Sequence, residues 1–234
     1  MTPAGPDLDG LSRRIGYQFT DASLLAQALA HRSWCSEHPG TDSNERLEFL
    51  GDAILGFVVA EHAYRRHAEL HEGKLTDLRK AVVNAMSLAD VAREIALGGE
   101  LRLGKGEAMA DGHDKPSILS DALEAVIGAV YLDGGIEQAS ALIARLIGPG
   151  LERAVSQLDD LDQKTALQEL LARLDMKTPV YVLREEGPDH QKSFFAEVRV
   201  NNEVLGRGEG RSKKLAEVAA AREAGAMLRQ RVNA

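Results

Sequence analysis

The hydrophobic periodicity of the chain changes once, near residue 161, and this change limits the folds that the sequence can adopt. Before it, apolar residues recur at helical spacing and no strand-like alternation interrupts them. After it, a short helical stretch leads into three stretches that alternate apolar and polar residues, and a final helical stretch follows. We therefore predict an all-α domain over residues 1–158, followed by a small α+β domain of order α-β-β-β-α over residues 159–234.

Local signals predict where several helices begin and end. Asp21 is expected to cap a helix over DASLLAQALAHRS, and residues 41–43 to cap a long helix that contains NERLEFLGDAILG. A further helix is expected to begin at Ser117, after a Lys-Pro step, and to end at Gly134-Gly135. The stretch LDDL at residues 158–161 is expected to form a short acidic linker between the two domains.

The composition favours a cytoplasmic protein that folds without covalent cross-links. The 234 residues are 44% hydrophobic, which is enough for one large core or two modest ones. Cys35 is the only cysteine, so the chain cannot form an internal disulfide, and a reducing cytoplasm is the expected location. No run of about 18 apolar residues occurs, so no membrane span is expected.

Charge is divided unevenly between the two predicted domains. The formal net charge of −8 at first sight disfavours a nucleic-acid partner, because phosphate contacts need Lys and Arg. Residues 162–234, however, contain 13 Lys and Arg against 11 Asp and Glu, a net charge of +2, which leaves −10 for residues 1–161. This division is typical of a metal-using enzyme with an accessory module for polyanions, although chance can also produce it.

Two helical stretches carry carboxylates among apolar residues. In NERLEFLGDAILG, Glu45, Glu48 and Asp52 stand at i, i+3 and i+7, on one side of the helix. In SILSDALEAVIGAV, Asp121 and Glu124 stand at i and i+3. One interpretation is a solvated acidic stripe on an amphipathic helix. The apolar residues on the other sides favour a second interpretation, in which the acids line a cleft that holds a cation.

If the two helices face each other, Glu48, Asp52, Asp121 and Glu124 form a site of carboxylate oxygens. Such hard ligands suit Mg²⁺ or Mn²⁺ rather than zinc, and without a cation their repulsion would raise their pKa values. No histidine pair completes a zinc motif, and no Glu-x-x-His pair of a di-iron bundle lies beside the acids. The Gly-rich GGELRLGKGE lacks the pattern of a nucleotide-binding loop, so no organic cofactor is expected.

The stretch GRGEGRSKKLAEVAA is the most distinctive part of the C-terminal region. Ser212 is expected to cap the last helix, and Lys213 with Lys214 to project from its first turn, where the helix N-terminus also favours a phosphate. A solvated lysine pair is the simpler interpretation. The glycines before it let the backbone approach a ligand, which favours phosphate binding.

These stretches together resemble the ribonuclease III family. NERLEFLGDAILG resembles its signature helix and SILSDALEAVIGAVYLDGG its second catalytic helix, while HRSW, EGKLTDLR and LRLGKGE match in order and spacing. The C-terminal region is similar to a double-stranded-RNA-binding domain, from DQKTALQELL to GRSKKLAEVAA. The resemblance covers roughly residues 10–230. Ser120, where Ala is expected, and Ala30, where Thr is common, are small departures, and neither removes a metal ligand.

The resemblance implies a homodimeric endoribonuclease that cleaves both strands of an RNA duplex and leaves 5′-phosphate and 3′-hydroxyl ends, in rRNA and mRNA processing or decay. It implies that the four acids bind Mg²⁺, with Mn²⁺ as a substitute. The main rival is a non-catalytic RNA-binding protein on the same fold, which the loss of one of these acids would have indicated. All four are present.

The resemblance also assigns roles to single residues. Phe49 is expected to pack into the partner subunit. Asp52, Glu124 and Glu45 are the implied catalytic residues, Glu45 acting through water, and Glu72 is expected near the cleft. The implied RNA contacts are Thr165, Gln168, Glu169, His190, Ser212, Lys213 and Lys214.

Overall fold

The computed structural model describes residues 5–187 and 192–233, apart from the side chains of residues 157–162, 232 and 233. The chain divides into two compact units, Met1–Ala154 and Val155–Ala234. None of the described helices combines the length and the apolar character that crossing a membrane requires.

The first unit is helical, as predicted. Its described part contains no β-strand beyond an isolated bridge between Ala30 and Arg102. Short 3-10 turns lie at Leu97–Glu100 and Gly112–Asp114. The α-helices are α1 (Leu8–Ile15), α2 (Ala22–Ala28), α3 (Arg32–Glu37), α4 (Glu45–Arg66), α5 (Glu72–Val82), α6 (Ala85–Glu94), α7 (Lys105–Met109) and α8 (Pro116–Arg173), the last of which continues into the second unit.

Helix caps confirm one predicted helix start and correct another. Asp21 caps α2 by accepting a hydrogen bond from a backbone amide of the first turn, as predicted. Helix α4 begins after Asn44 without a side-chain cap, so the cap predicted at residues 41–43 is wrong. The Ser43 hydroxyl donates instead to the Glu45 carboxylate, and it is therefore not directed at the helix amides.

Helix α8 confirms the predicted interruption but continues further than predicted. Gly135 adopts φ 79° and ψ −176°, which breaks the helical geometry where Gly134-Gly135 was expected to end it. Helical backbone then continues to Arg173, through residues 158–161. The linker predicted for these residues is therefore wrong, because the acids are followed by the good helix formers of the stretch QKTALQELLAR.

Two glycines bring helices α4 and α8 into backbone contact. A Cβ atom at Gly51 would lie 1.8 Å from the Glu124 carbonyl oxygen, and one at Gly128 would lie 2.4 Å from the Leu47 carbonyl oxygen. Both distances are too short for any larger residue without a shift of the backbone. Apolar residues around the crossing, among them Leu55, are buried in the core of the unit. The crossing places the acids of the two helices beside each other.

The second unit has the predicted order α-β-β-β-α. Strands β1 (Val180–Glu186), β2 (Ser193–Val200) and β3 (Glu203–Gly210) form an antiparallel sheet in this order, and helix α9 (Lys213–Asn233) follows. Helix α9 packs closely on β3, since a Cβ atom at Gly208 would lie 2.3 Å from the Ala216 carbonyl oxygen. The core of this unit includes Leu167, Leu171, Val198, Leu205, Ala220 and Leu228.

Candidate active site

The four predicted metal-binding acids lie on the two helices that cross at the glycine pair. Glu48 and Asp52 belong to α4, whereas Asp121 and Glu124 belong to α8. Carboxylate oxygens of Glu48, Asp121 and Glu124 all lie within 4.8 Å of one another, and each of these side chains is partly buried. The structure therefore brings three of the four acids together, and we call these three residues the carboxylate cluster.

Burial and mutual repulsion disfavour the ionised form of the cluster. The pKa of Glu124 is raised to about 7. Burial is the largest cause, and the charges of neighbouring carboxylates, Asp52 first among them, add to it. Burial also raises the pKa of Glu48, with a further contribution from Asp121. The pKa of Asp121 is raised by burial, although a hydrogen bond from the Ser120 hydroxyl opposes the shift. Cation binding would relieve this repulsion.

Asp52 and Glu45 lie at the edge of the carboxylate cluster. Asp52 is exposed and is not a member of the group of mutually close carboxylates, although its charge contributes to the raised pKa of Glu124. Glu45 is exposed as well and forms an ion pair with Arg32 at 3.7 Å. Metal binding by Asp52 and catalysis by Glu45 therefore stay predictions.

A cavity of about 300 Å³ lies beside the carboxylate cluster. Because Glu48 and Asp121 belong both to the cluster and to the cavity wall, a group in this cavity lies close to the acids. The wall carries basic side chains as well as acidic ones. It is lined by His31, Arg32, Asn44, Glu45, Glu48, Glu107, Lys115, Ser117, Ile118 and Asp121.

The donor set of the carboxylate cluster fits a hard divalent cation. All three contributing groups are carboxylates, and oxygen ligands of this kind suit Mg²⁺ and Mn²⁺. A structural zinc site would normally include His or Cys ligands, and this cluster contains neither. The donor set therefore supports a metal site.

The basic side chains of the cavity wall were missed by reasoning from the sequence. His31 and Arg32 were noted only as part of HRSW, and Lys115 only as a residue before a helix start. Lys115 is far from His31 and Arg32 in the chain, and no periodicity connects it with them. Their proximity depends on how α3, α4 and the start of α8 pack together.

Of the predicted RNA contacts that the structure describes in the second unit, all but the partly buried Ser212 occupy exposed positions. Thr165, Gln168 and Glu169 are exposed on α8, next to the buried Leu167. Ser212 caps α9 by accepting a hydrogen bond from the Leu215 amide at 3.2 Å, which confirms the predicted cap. Lys213 and Lys214 are exposed in the first turn of that helix, and His190 lies outside the described residues.

Phe49 projects from α4 into solvent. Its side chain is 81% exposed, although it lies one residue from Glu48 of the carboxylate cluster. Packing in the core of its own chain is therefore excluded for this residue. A large exposed aromatic group suits a contact with another protein surface.

Two family models match the chain. The model described as Ribonuclease-III-like matches residues 21–151, and the double-stranded RNA binding motif matches residues 163–228. The chain is 54% identical to Ribonuclease 3 of Thermobifida fusca, over 88% of this chain and 86% of the relative. The chain belongs to the ribonuclease III family. Ribonuclease 3 of Streptomyces coelicolor, another relative in this family, is 51% identical over 94% of this chain and 79% of its own length.

A solved structure supports the same conclusion for the first unit. The nuclease domain of ribonuclease III from Campylobacter jejuni is 42% identical and superposes with a TM-score of 0.58, covering 62% of this chain and 98% of that chain. That structure concerns flexibility in a region involved in dimer formation. The predicted family and fold class are confirmed, and membership of the ribonuclease III family supports the predicted double-stranded-RNA endoribonuclease.

Proposed function

We propose that this ribonuclease III family member cleaves both strands of double-stranded RNA by metal-assisted hydrolysis, leaving 5′-phosphate and 3′-hydroxyl ends. The observation that carries the proposal is the carboxylate cluster at the crossing of α4 and α8, inside the region that the Ribonuclease-III-like model matches. Processing or decay of rRNA and mRNA in the cytoplasm is the proposed setting, and no organic cofactor or membrane takes part.

Glu48, Asp52, Asp121 and Glu124 would hold Mg²⁺, or Mn²⁺ in its place. When bound, such a cation supplies an activated water and stabilises the charge that develops on the scissile phosphate and the leaving 3′-oxygen. The donor chemistry supports this assignment, since the three clustered acids offer only carboxylate oxygens.

The protein side chains would prepare the site for that cation. Glu124, with a pKa of about 7, gives up its proton readily when a positive charge is nearby. Ser120 is buried, and its single hydroxyl hydrogen is shared between the Ser117 carbonyl oxygen at 2.9 Å and the Asp121 carboxylate at 3.2 Å, which helps to orient that carboxylate. Glu45, at the exposed edge of the site, would act through water.

The second unit, proposed to span residues 159–234, would bind the RNA duplex by its shape. Motifs of this kind contact 2′-hydroxyls and phosphates across about 16 bp with little sequence preference. The exposed Lys213 and Lys214 at the N-terminus of α9 would contact phosphates, and Thr165, Gln168 and Glu169 would contact the duplex from α8. His190 is proposed as a further contact.

The first unit, proposed to span residues 1–158, would form a homodimer through the face that contains Phe49. The 81% exposure of this side chain supports the proposal, and so does the dimer-forming region of the related Campylobacter jejuni nuclease domain. Two sites in one dimer would account for cleavage of both strands of a duplex.

The test is to incubate the purified protein with long duplex RNA, with and without Mg²⁺. We expect short duplex products with 5′-phosphate ends only when the divalent cation is present. Duplex binding without cleavage in Mg²⁺ or Mn²⁺ would identify instead a non-catalytic RNA-binding member of the family.

A further inference from the structure

The cavity beside the carboxylate cluster is lined by basic side chains among its acids, and metal ligation does not explain the basic ones. His31, Arg32 and Lys115 line the same space as Glu48 and Asp121. Carboxylates bind cations, whereas guanidinium, ammonium and imidazole N–H groups bind anions. The cavity thus offers ligands of both kinds to an approaching RNA strand.

Hydrogen bonds assign the proton of the His31 ring. The Ser33 amide donates to Nδ1 at 3.3 Å, so this nitrogen acts as an acceptor. Ser33 Oγ accepts a hydrogen bond from the Gly104 amide at 2.9 Å. The hydroxyl hydrogen of Ser33 is then directed at Nδ1 of His31, which lies 2.8 Å from Ser33 Oγ. The neutral imidazole therefore carries its proton on Nε2. Nε2–H is the donor that this ring retains for a ligand.

Arg32 and Lys115 are held by weak ion pairs. Arg32 lies 3.7 Å from Glu45, with both side chains more than half exposed, and Lys115 lies 3.2 Å from Glu107. The Arg32 pair is exposed and contributes little to stability because water screens it, whereas the Glu107 side chain of the Lys115 pair is only 24% exposed. A phosphate can therefore replace Glu45 as the partner of Arg32 at small cost, and the half-exposed Lys115 ammonium has further N–H donors for the same anion.

We propose that His31, Arg32 and Lys115 form an anion subsite that binds a backbone phosphate of the RNA strand next to the phosphate that is cut. This inference rests on the proposed function, because it takes the scissile phosphate to lie at the carboxylate cluster. Each nucleotide carries one phosphate, so a strand positioned there brings a neighbouring phosphate close to the basic side chains. The subsite would align the strand for cleavage. The charges of Arg32 and Lys115 and the neutral N–H donor of His31 would hold the phosphate.

Charge-removing variants of the full-length protein test this subsite. Arg32→Gln and Lys115→Gln keep a polar side chain, and both positions are exposed, so folding should be preserved. Arg65→Gln is a matched control, because Arg65 is 74% exposed in its side chain and pairs with Glu61 on α4 outside the cavity. His31→Asn keeps a residue that caps helices well but removes the ring N–H.

Two measurements should be made on each variant. Duplex-RNA affinity is measured as a function of salt in a Glu124→Gln background, where cleavage does not interfere. The slope of log affinity against log salt should become shallower by about 1 for Arg32→Gln and for Lys115→Gln, as expected when one phosphate contact is lost. In the otherwise wild-type background, single-turnover cleavage, with enzyme in excess over RNA but below saturation, should fall about tenfold or more for these variants and for His31→Asn.

An unchanged salt slope in both cation variants, or an equal change in Arg65→Gln, would overturn the subsite. The same conclusion follows if His31→Asn cleaves as fast as the wild type. Failure of the proposed function gives a different pattern, in which the wild-type protein binds duplex RNA but never cuts it. The binding slopes would still show whether the anion subsite exists.

Discussion

Replacing Glu124 with Gln should stabilise the metal-free protein, and it should do so only above acidic pH. Glu124 lies in the carboxylate cluster, where burial and the charge of Asp52 raise its pKa from 4.5 to about 7. Gln has nearly the same shape but cannot ionise. The substitution therefore removes the cost of holding a charge beside the other acids, and it leaves the crossing of α4 and α8 in place.

The pKa shift sets the magnitude and the sign of this effect. Between pH 4.5 and about 7, folded Glu124 retains a proton that the unfolded chain has released, so the free energy of unfolding falls as the pH rises. The stability that the protonated side chain contributes is fully present below pH 4.5 and is lost once the pH passes about 7. At about 1.4 kcal/mol per pKa unit, the loss approaches roughly 3 kcal/mol.

Thermal unfolding in EDTA measures the effect directly. Near pH 8 the Glu124→Gln variant should melt about 6–12 °C above the wild type, since about 1 kcal/mol shifts the midpoint of a unit of this size by about 2–4 °C. Below pH 4.5 the two proteins should melt together. Glu94→Gln, at an exposed position of α6, is the control and should show no such pH-dependent difference. Equal melting temperatures of wild type and Glu124→Gln at both pH values would refute the reasoning.

Three further outcomes are expected. A protein ending at residue 158 should still cut duplex RNA at low salt but weaken steeply as salt rises, because phosphate contacts are lost; inactivity at every salt and protein concentration would contradict this division of work. Phe49→Asp should weaken self-association and abolish double-strand cutting, and sedimentation of the wild type as a monomer at micromolar concentration would exclude the proposed dimer. Ser120→Ala should weaken Mn²⁺ binding about fivefold, because Asp121 loses one hydrogen bond; calorimetric titration should detect this, and an unchanged affinity would remove Ser120 from the site.

Periodicity was sufficient to predict the fold, because each unit repeats its pattern over many residues. The order of the strands was predictable, although alternation is clear only in β2, where Ala196, Val198 and Val200 are buried, while β1 is exposed except at Tyr181. Helix ends depend on single contacts, and the prediction failed at α4, where the Ser43 hydroxyl bonds Glu45. The predicted linker failed as well, because acidic residues do not by themselves end a helix.

The candidate site was predictable only in part. Helical spacing placed Glu48 on one helix, and Asp121 with Glu124 on another, and these three acids do meet. Their distance depends on Gly51 and Gly128, whose role as a point of backbone contact has no signature in periodicity. The same packing leaves Asp52 exposed at the edge, and it brings Lys115 to the cavity that His31 and Arg32 also line, although Lys115 is distant from them in the chain.

Parallel measurement of cleavage and binding by Glu124→Gln tests most directly whether the carboxylate cluster does the chemistry. In Mg²⁺, single-turnover cleavage of long duplex RNA should fall by orders of magnitude, because the variant lacks a charged ligand of the cation. Affinity for the same duplex should stay close to that of the wild type, since Lys213, Lys214 and their neighbours are unchanged. Cleavage by Glu124→Gln at near the wild-type rate in Mg²⁺ would contradict the metal site proposed at the crossing of α4 and α8.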